Sequence, residues 1–207
     1  MALFITFEGG EGSGKTVQAR ALYRKLRSQG VPSLLTQEPG GTVLGRRLAC
    51  FLKWQDGPVA PLTELLLFNA SRAHLVAEVI RPALEEGKLV ICDRYTDSTT
   101  VYQGYGRGLD LKLVASVNGM ATGGLKPDLV VLLDIPVEAG LARKKDQKRD
   151  RFEQENVSFH HRVQAGYLTL AAEEPERWLV VDASQSKDKV RRIIWQRVSQ
   201  LLSTRGK

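Results

Sequence analysis

Near its N-terminus the chain reads Phe4-Ile-Thr-Phe-Glu8-Gly9-Gly-Glu-Gly-Ser-Gly14-Lys15-Thr16, an apolar strand followed by a glycine-rich turn. Gly9 to Thr16 fits G-x-x-x-x-G-K-[ST] in full, the pattern of a phosphate-binding loop. Its glycines let backbone N–H groups curl around phosphate oxygens, and a helix over residues 15–29 directs its positive end at them. Lys15 is predicted to reach the β- and γ-phosphates of ATP, and the Thr16 hydroxyl to bind Mg²⁺. The predicted ATP-binding residues are Gly9, Gly10, Glu11, Gly12, Ser13, Gly14, Lys15 and Thr16.

Length and composition limit the possible functions. A chain of 207 residues is expected to form one domain, residues 1–207. The excess of 30 basic over 23 acidic residues suits nucleic acid or phosphate-bearing substrates. Because no aromatic-rich basic strand accompanies it, we expect nucleotides and not nucleic acid. No apolar stretch is long enough to cross a bilayer and no signal peptide is indicated, so the expectation is a cytoplasmic protein without a membrane partner.

Five short runs rich in Val, Ile and Leu are predicted to be buried strands, with helix-like segments between them. This pattern is typical of an α/β fold, a three-layer α/β/α arrangement around a five-stranded parallel sheet. Ligands of such folds bind at the carboxyl ends of the strands. Glu38, Asp93 and Asp134 follow three of the strands, so we expect an active site at that edge. The predicted strands are residues 3–7, 33–37, 89–92, 129–133 and 178–181.

Two of these strand ends carry candidate groups for phosphate and metal. Glu38-Pro-Gly-Gly-Thr42 is either a plain turn with a solvated carboxylate or a site that places Glu38 near Mg²⁺ or the acceptor. Asp93 is predicted to hold a water on Mg²⁺ beside Thr16. Arg94 is predicted to bind phosphate with two parallel hydrogen bonds.

The segment 61–82 is predicted to be one long helix. Phe68 and Arg72 are four residues apart and lie on one of its faces. They either grip a base, or serve as a core ring and a surface cation. The polar and aromatic stretch that begins at Ser98 contains Thr99, Tyr102 and Gln103, side chains of the types that contact sugars and base edges.

A strongly basic run, 143–151, follows the fourth strand. It is either a solvated loop or part of a lid, residues 142–153, that folds over ATP and brings guanidinium groups to the transferring phosphoryl. The C-terminal helix, 187–202, is predicted to serve packing only.

Taken together, these motifs resemble those of the bacterial thymidylate kinases, nucleoside-monophosphate kinases that act on dTMP. The similarity extends over nearly the whole chain, and the order of the motifs is more specific than the phosphate-binding loop alone. The matching segments are Phe7–Thr16, Glu38–Thr42, Leu67–Arg72, Asp93–Ser98, Tyr102–Gln103 and Asp150–Glu153.

The resemblance implies roles for individual residues. Phe68 would stack on thymine, Arg72 would contact the base or its phosphate, and Arg94 would hold the phosphate of dTMP. Thr99 and Gln103 occupy positions at which members of the family contact the base. Tyr102 occupies the position at which a side chain crowds a ribose 2′-hydroxyl and so favours deoxyribose. The dTMP-binding residues so implied are Glu38, Phe68, Arg72, Arg94, Ser98, Thr99, Tyr102 and Gln103.

The family has two arrangements of its catalytic arginine, one with an Arg in the phosphate-binding loop and one with Gly there and an Arg in the lid. Gly12 follows Glu11 here, so the resemblance implies a lid arginine. We expect Arg149 to reach the phosphoryl, with Arg143 as the other candidate, while Arg151 and Glu153 brace the lid. The expected catalytic residues are Lys15, Glu38, Arg94, Arg143 and Arg149.

One departure from the family concerns the segment after Thr42. Many relatives carry an Arg about seven residues after the Gly-Gly-Thr, where this chain has Ala49, and Arg46 or Arg47 could substitute for it.

The expected reaction is transfer of the ATP γ-phosphoryl group to dTMP, giving dTDP and ADP, with Mg²⁺ as cofactor. A deoxynucleoside kinase, with Glu38 as base on a 5′-hydroxyl, and a nucleotide-dependent ATPase or switch remain as alternatives. The resemblance also implies a homodimer.

Overall fold

A computed structural model describes residues 2–55, 57–144 and 148–205. Its centre is a sheet of five parallel strands in the order β2-β3-β1-β4-β5. All five predicted strands are confirmed, four of them ending one residue later than expected. The strands are β1 (Leu3–Glu8), β2 (Ser33–Gln37), β3 (Leu89–Asp93), β4 (Leu129–Asp134) and β5 (Trp178–Asp182).

Helices connect each strand to the next, as parallel strands require. The helices are α1 (Lys15–Ser28), α2 (Val43–Trp54), α3 (Pro61–Leu75), α4 (Arg81–Glu85), α5 (Thr96–Thr99), α6 (Leu111–Thr122), α7 (Val137–Ala142), α8 (Val157–Glu173) and α9 (Lys187–Arg205). Two π-helical segments, π1 (Val76–Ile80) and π2 (Thr100–Gly106), continue α3 and α5.

The predicted helix of residues 61–82 continues to Glu85 through α3, π1 and α4. Pro82 does not end it, because Pro82 lies in the first turn of α4, where a backbone N–H is not required.

The sheet is covered on both faces, as its apolar strands require. Leu3, Ile5 and Phe7 of β1 point to one face and Phe4 to the other, with the period of two expected of a strand. The first face packs against α1 and α9. The second packs against the α3–π1 run near β3 and against α8 and π2 near β4. The arrangement is the three-layer α/β/α fold predicted.

Within the described ranges, no helix combines the length and apolarity needed to cross a membrane.

Candidate active site

A cleft of about 960 Å³ lies at the carboxyl ends of β1, β2 and β3. Glu38 and Asp93, from β2 and β3, line it together with the phosphate-binding loop that follows β1. Asp134 does not join them, contrary to expectation. Its carboxylate accepts a hydrogen bond from Gln164 Nε2 at 2.8 Å, so α8 holds it away from the cleft.

The phosphate-binding loop lies between β1 and the first turn of α1. Gly14 precedes the helix with a φ of 91° and offers no side-chain cap, so the first N–H groups of α1 are available to a ligand. Lys15 Nζ donates to the carbonyl oxygens of Gly9, at 3.0 Å, and Gly10, at 2.8 Å. Burial and the nearby Arg94 charge lower the pKa of Lys15 to about 8. Residues 11–16 line the cleft, while Gly9 and Gly10 contribute these carbonyl groups behind it.

Thr16 and Asp93 meet at the entrance to the loop, where the Thr16 hydroxyl donates to Asp93 Oδ2. An oxygen pair of this kind fits Mg²⁺, which commonly takes one or two protein ligands and completes its shell with water and phosphate oxygens. The described residues contain no group of three or more His, Cys, Asp or Glu side chains that could hold a metal ion by themselves.

Arg94, just after β3, is connected to the loop through Glu11. Its backbone has a φ of 72°, unusual for a side chain with a Cβ, and its Nη2 lies 2.9 Å from Glu11 Oε1. The Tyr102 hydroxyl donates to the same carboxylate at 2.7 Å, and Lys144 Nζ lies 3.3 Å from its other oxygen. Burial alone would raise the pKa of Glu11, but the charges of Arg94, Lys15 and Lys144 outweigh it and hold that pKa well below its usual range.

A second, more deeply buried carboxylate, that of Glu8, is connected to Arg94 through Ser98. Glu8 is fully buried at the end of β1 and accepts hydrogen bonds from the Tyr95 N–H, the Ser98 hydroxyl and the Tyr167 hydroxyl. Burial, reinforced by the nearby Asp97 charge, raises the pKa of Glu8 to about 7. Ser98 in turn accepts from Arg94 Nη1 at 3.1 Å. Sequence reasoning missed Glu8 and Tyr167, since Tyr167 comes from α8, far along the chain.

Arg72 and Glu38 form a buried pair on the opposite wall. Arg72 Nε donates to Glu38 Oε2 at 2.8 Å, and burial raises the pKa of Glu38 to about 7 despite that partner. Glu38 Oε1 is buried and has no hydrogen-bond partner among the described residues, so one oxygen remains for a ligand. The other four N–H groups of Arg72 are also engaged. They donate to Asn69, Asn118, the Tyr95 carbonyl and Thr99.

The aromatic part of the cleft combines α3 with the lid. Phe68 is half-buried, and its ring centroid lies 5.6 Å from that of Phe152, a lid residue that sequence reasoning did not select. Tyr102 contacts the same ring at 6.2 Å. Gln103 lines this part of the cleft, and its Nε2 donates to Glu64 at 2.6 Å. The residues proposed for the base are therefore brought together.

The lid arginines do not all reach the cleft. Arg143 lines it and donates to the carbonyl groups of Gly12, at 3.3 Å, and Ala183, at 3.1 Å. Arg149, the expected phosphoryl ligand, is exposed and does not line the cleft, whereas Lys144 does. Residues 145–147 of the basic run lie outside the described residues.

Two further differences from expectation concern residues around the cleft. Arg46 and Arg47 are exposed and do not line it, but Lys53, one helical turn beyond Ala49, does. The C-terminal helix was expected to serve packing only, yet Lys187 and Val190 from its first turn line the cleft.

The loop and α7 touch backbone to backbone. A Cβ on Gly12 would lie 2.0 Å from the Gly140 carbonyl oxygen, and a Cβ on Gly140 would lie 2.3 Å from the Glu11 carbonyl oxygen. Gly12 also has a φ of 67°, in the left-handed region that favours glycine. No side chain fits between the two segments, so an arginine at position 12 is excluded in this arrangement.

The known proteins similar to this chain share one family. The family model described as thymidylate kinase matches residues 7–194. A thymidylate kinase of Dehalococcoides mccartyi is 54% identical over 207 residues and covers 100% of both chains. One from Synechococcus is 52% identical over 200 residues, covering 97% of this chain and 96% of its own. The crystal structure of thymidylate kinase from Ehrlichia chaffeensis superposes with a TM-score of 0.77 at 32% identity, covering 95% of this chain and 98% of that one. The chain belongs to the thymidylate kinase family of nucleoside-monophosphate kinases.

Proposed function

We propose that this chain transfers the γ-phosphoryl group of ATP to dTMP, giving ADP and dTDP, in the cleft at the carboxyl edge of the sheet. One observation carries the proposal. Lys15 Nζ and Arg94 Nη1 donate to the same carbonyl oxygen, that of Gly9, at 3.0 and 3.3 Å. A cation suited to the donor phosphates therefore lies beside a cation suited to the acceptor phosphate.

The proposed roles follow from these positions. The loop N–H groups and Lys15 hold the β- and γ-phosphates of ATP, and Arg94 holds the 5′-phosphate of dTMP. An acceptor phosphate is already ionised at neutral pH, so the chemistry requires positioning and positive charge more than a strong base. Among the described residues, Arg143 and Lys144 are the lid cations that line the cleft, and we assign them to stabilising the negative charge of the transferring phosphoryl group. Arg149 would need a different lid arrangement to take part.

Thr16 and Asp93 would hold Mg²⁺, Asp93 through a water. When bound, the ion neutralises charge on the donor phosphates.

The acceptor pocket is assigned to residues of α3, α5 and π2, together with Glu38, which follows β2. Phe68 stacks on the base, Gln103 and Thr99 contact its edge, and Tyr102 lies against the sugar. Arg72 is held by Glu38 as a fixed wall of the pocket. Residues 142–153 act as the lid of a single kinase domain, and lid closure excludes water from the reaction.

We also propose a homodimer formed by the outer face of α2, α3 and α6. This face exposes large apolar side chains, among them Phe51, Leu62, Leu66 and Leu113. Leu62 and Leu66 lie one turn apart on α3, and such surface is costly in water. Leu66→Glu is expected to convert a dimer to a monomer in light scattering, while unchanged mass would refute this face as the interface.

Because ATP and dTMP belong to the cytoplasmic nucleotide pool, we propose a cytoplasmic location.

The deciding experiment is coupled ADP production with ATP and Mg²⁺ in the presence of dTMP, dUMP, other nucleoside monophosphates or thymidine. The proposal requires stimulation by dTMP well above the rest. Stimulation by thymidine would make Glu38 a base for a deoxynucleoside kinase, and ATP hydrolysis indifferent to every acceptor would indicate an ATPase or switch.

A further inference from the structure

Glu64 of α3 is a fully buried carboxylate for which the reaction requires no direct role. Its Oε1 accepts from Gln103 Nε2 at 2.6 Å and from Arg107 Nε at 3.3 Å. Its Oε2 accepts from Arg107 Nη2 at 3.3 Å and lies 2.8 Å from Arg151 Nη2. A buried carboxylate is costly unless paired, and two guanidinium groups pair with this one.

Arg151 connects Glu64 to the lid. Its Nε donates to the Leu52 carbonyl at 3.1 Å, and its backbone N–H donates to the Lys53 carbonyl at 3.2 Å. The preceding lid residue, Asp150, lies 3.4 Å from Lys53 Nζ. The C-terminal part of the lid is therefore attached to the end of α2 and to Glu64.

The same attachment places a ring over the acceptor pocket. The Arg151 guanidinium lies 4.7 Å from the centroid of Phe152, and the Arg107 guanidinium lies 5.8 Å from it. Both cations that hold Phe152 are paired with Glu64, and Phe152 packs on Phe68. Removing Glu64 would take one ion-pair partner from each of these cations and leave Arg107 with Glu155 and Arg151 with the Leu52 carbonyl.

Gln103 connects Glu64 to the pocket itself. A carboxylate can only accept hydrogen bonds, so the amide nitrogen of Gln103 must face Glu64 and the amide oxygen must face away from it. The orientation of the amide that the acceptor meets is therefore set by Glu64.

We infer that Glu64 is a positioning residue that docks the lid through Arg151 and orients Gln103, so that lid closure and acceptor binding depend on one carboxylate. The inference rests on the proposed function for the roles of the lid and the pocket. It concerns a group that touches neither substrate nor the reacting atoms.

The test uses trypsin cleavage after lid residues Arg143 and Arg149, followed by mass spectrometry, together with steady-state kinetics. Glu64→Gln and Arg151→Gln are compared with wild type, alone and with dTMP plus the non-hydrolysable analogue AMP-PNP. Glu78→Gln is the matched control, since it removes an exposed carboxylate of the same helical run whose ion-pair partner among the described residues is His74. Thermal melting establishes that each variant is folded, so that lid cleavage is separated from global unfolding.

Lid cleavage is expected to be about fivefold faster or more in both variants, because coupling between two sites typically changes an equilibrium by about 5- to 150-fold. The kcat/KM for dTMP is expected to fall by about 10- to 100-fold through misplacement of the pocket. In the double variant Glu64→Gln/Arg151→Gln the rise in lid cleavage should be smaller than the product of the two single effects, since both changes break the Glu64–Arg151 pair. Glu78→Gln should match wild type in both measurements.

A folded Arg151→Gln with wild-type lid protection and wild-type kcat/KM would overturn the inference. Should Glu64→Gln fail to fold, Arg151→Gln alone decides, because its side chain lies in the lid. The nucleotide-free comparison reports lid docking without reference to dTMP. It therefore tests Glu64 even if wild type phosphorylates a different acceptor, an outcome that would refute only the proposed function.

Discussion

The backbone contact between α7 and the phosphate-binding loop can be tested with Gly140→Ala, a change outside the loop. The added Cβ would lie 2.3 Å from the Glu11 carbonyl oxygen, and real Cβ atoms essentially never come within 3.0 Å of such an atom. The two backbones must therefore separate by about 0.7 Å, because the clashing oxygen belongs to the backbone and cannot rotate away as the end of a flexible side chain could.

That displacement is expected to act on catalysis more than on stability. Misplacing catalytic groups by about 1 Å costs up to about 100-fold in rate, so kcat/KM should fall by about 10- to 100-fold, or about 1.4 to 2.7 kcal/mol. Overpacking costs about 1–3 kcal/mol of stability, but alanine is favoured over glycine in a helix by up to about 1 kcal/mol, so part of the loss is offset. Arg143, three residues on, moves with the helix and loses its contact to the Gly12 carbonyl.

The assay is dTMP-dependent ADP production at saturating ATP, with a urea melt on the same preparation. Gly119→Ala in α6 is the matched control, since its Cβ would meet nothing within 4 Å. Gly140→Ala with kcat/KM within threefold of wild type would refute the claim that this contact positions the loop and the lid.

Three other predictions test the site. Lys15→Ala should lower turnover by about three orders of magnitude or more, with thermal melting showing an intact fold, because it removes a preorganised charge from the donor phosphates; near-normal turnover would refute the mechanism. Phe68→Ala should raise the KM for dTMP by about 10-fold or more, because stacking on a base contributes about 1–3 kcal/mol. The KM for ATP should not change. An equal rise in both KM values would show that the ring does not belong to the acceptor pocket. Glu38 has a folded-state pKa near 7, above its ordinary 4.5, so the folded state binds the extra proton between those values. Stability from this group is therefore present at low pH and is lost as pH rises through 7. In urea melts, the free energy of unfolding of Glu38→Gln should accordingly change with pH by about 1–3 kcal/mol less than that of wild type. Parallel pH profiles for the two proteins would contradict this prediction.

The sheet and the loop were predictable because short-range patterns specify them. Five apolar runs gave five strands, and G-x-x-x-x-G-K-T gave the loop between β1 and α1. Asp93 and Arg94 were found by their place at a strand end. Asp134 also lies at a strand end, but its predicted place in the active site was wrong. Gln164 of α8 binds its carboxylate, and no local sequence pattern indicates that hydrogen bond.

The remaining parts of the site depend on contacts between distant segments. Glu64 is an acidic residue in an apolar helix, which sequence alone would place on the surface. Its burial depends on Arg107 and Arg151, 43 and 87 positions away, and becomes understandable only once the three are together. The choice between Arg143 and Arg149 likewise depends on how the lid lies against the loop and not on charge, which both share.

The engagement of all five N–H groups of Arg72 determines how the pocket meets its ligand. Any bond that an acceptor makes to this guanidinium replaces one that already exists, so each contact contributes only the difference between the two. The pocket consequently requires little reordering when the acceptor arrives and gains little affinity from its most buried cation. Arg72 therefore selects a ligand by the shape of the pocket and contributes little to its binding energy. Weak binding energy from this side chain favours release of the product once the second phosphate has been added.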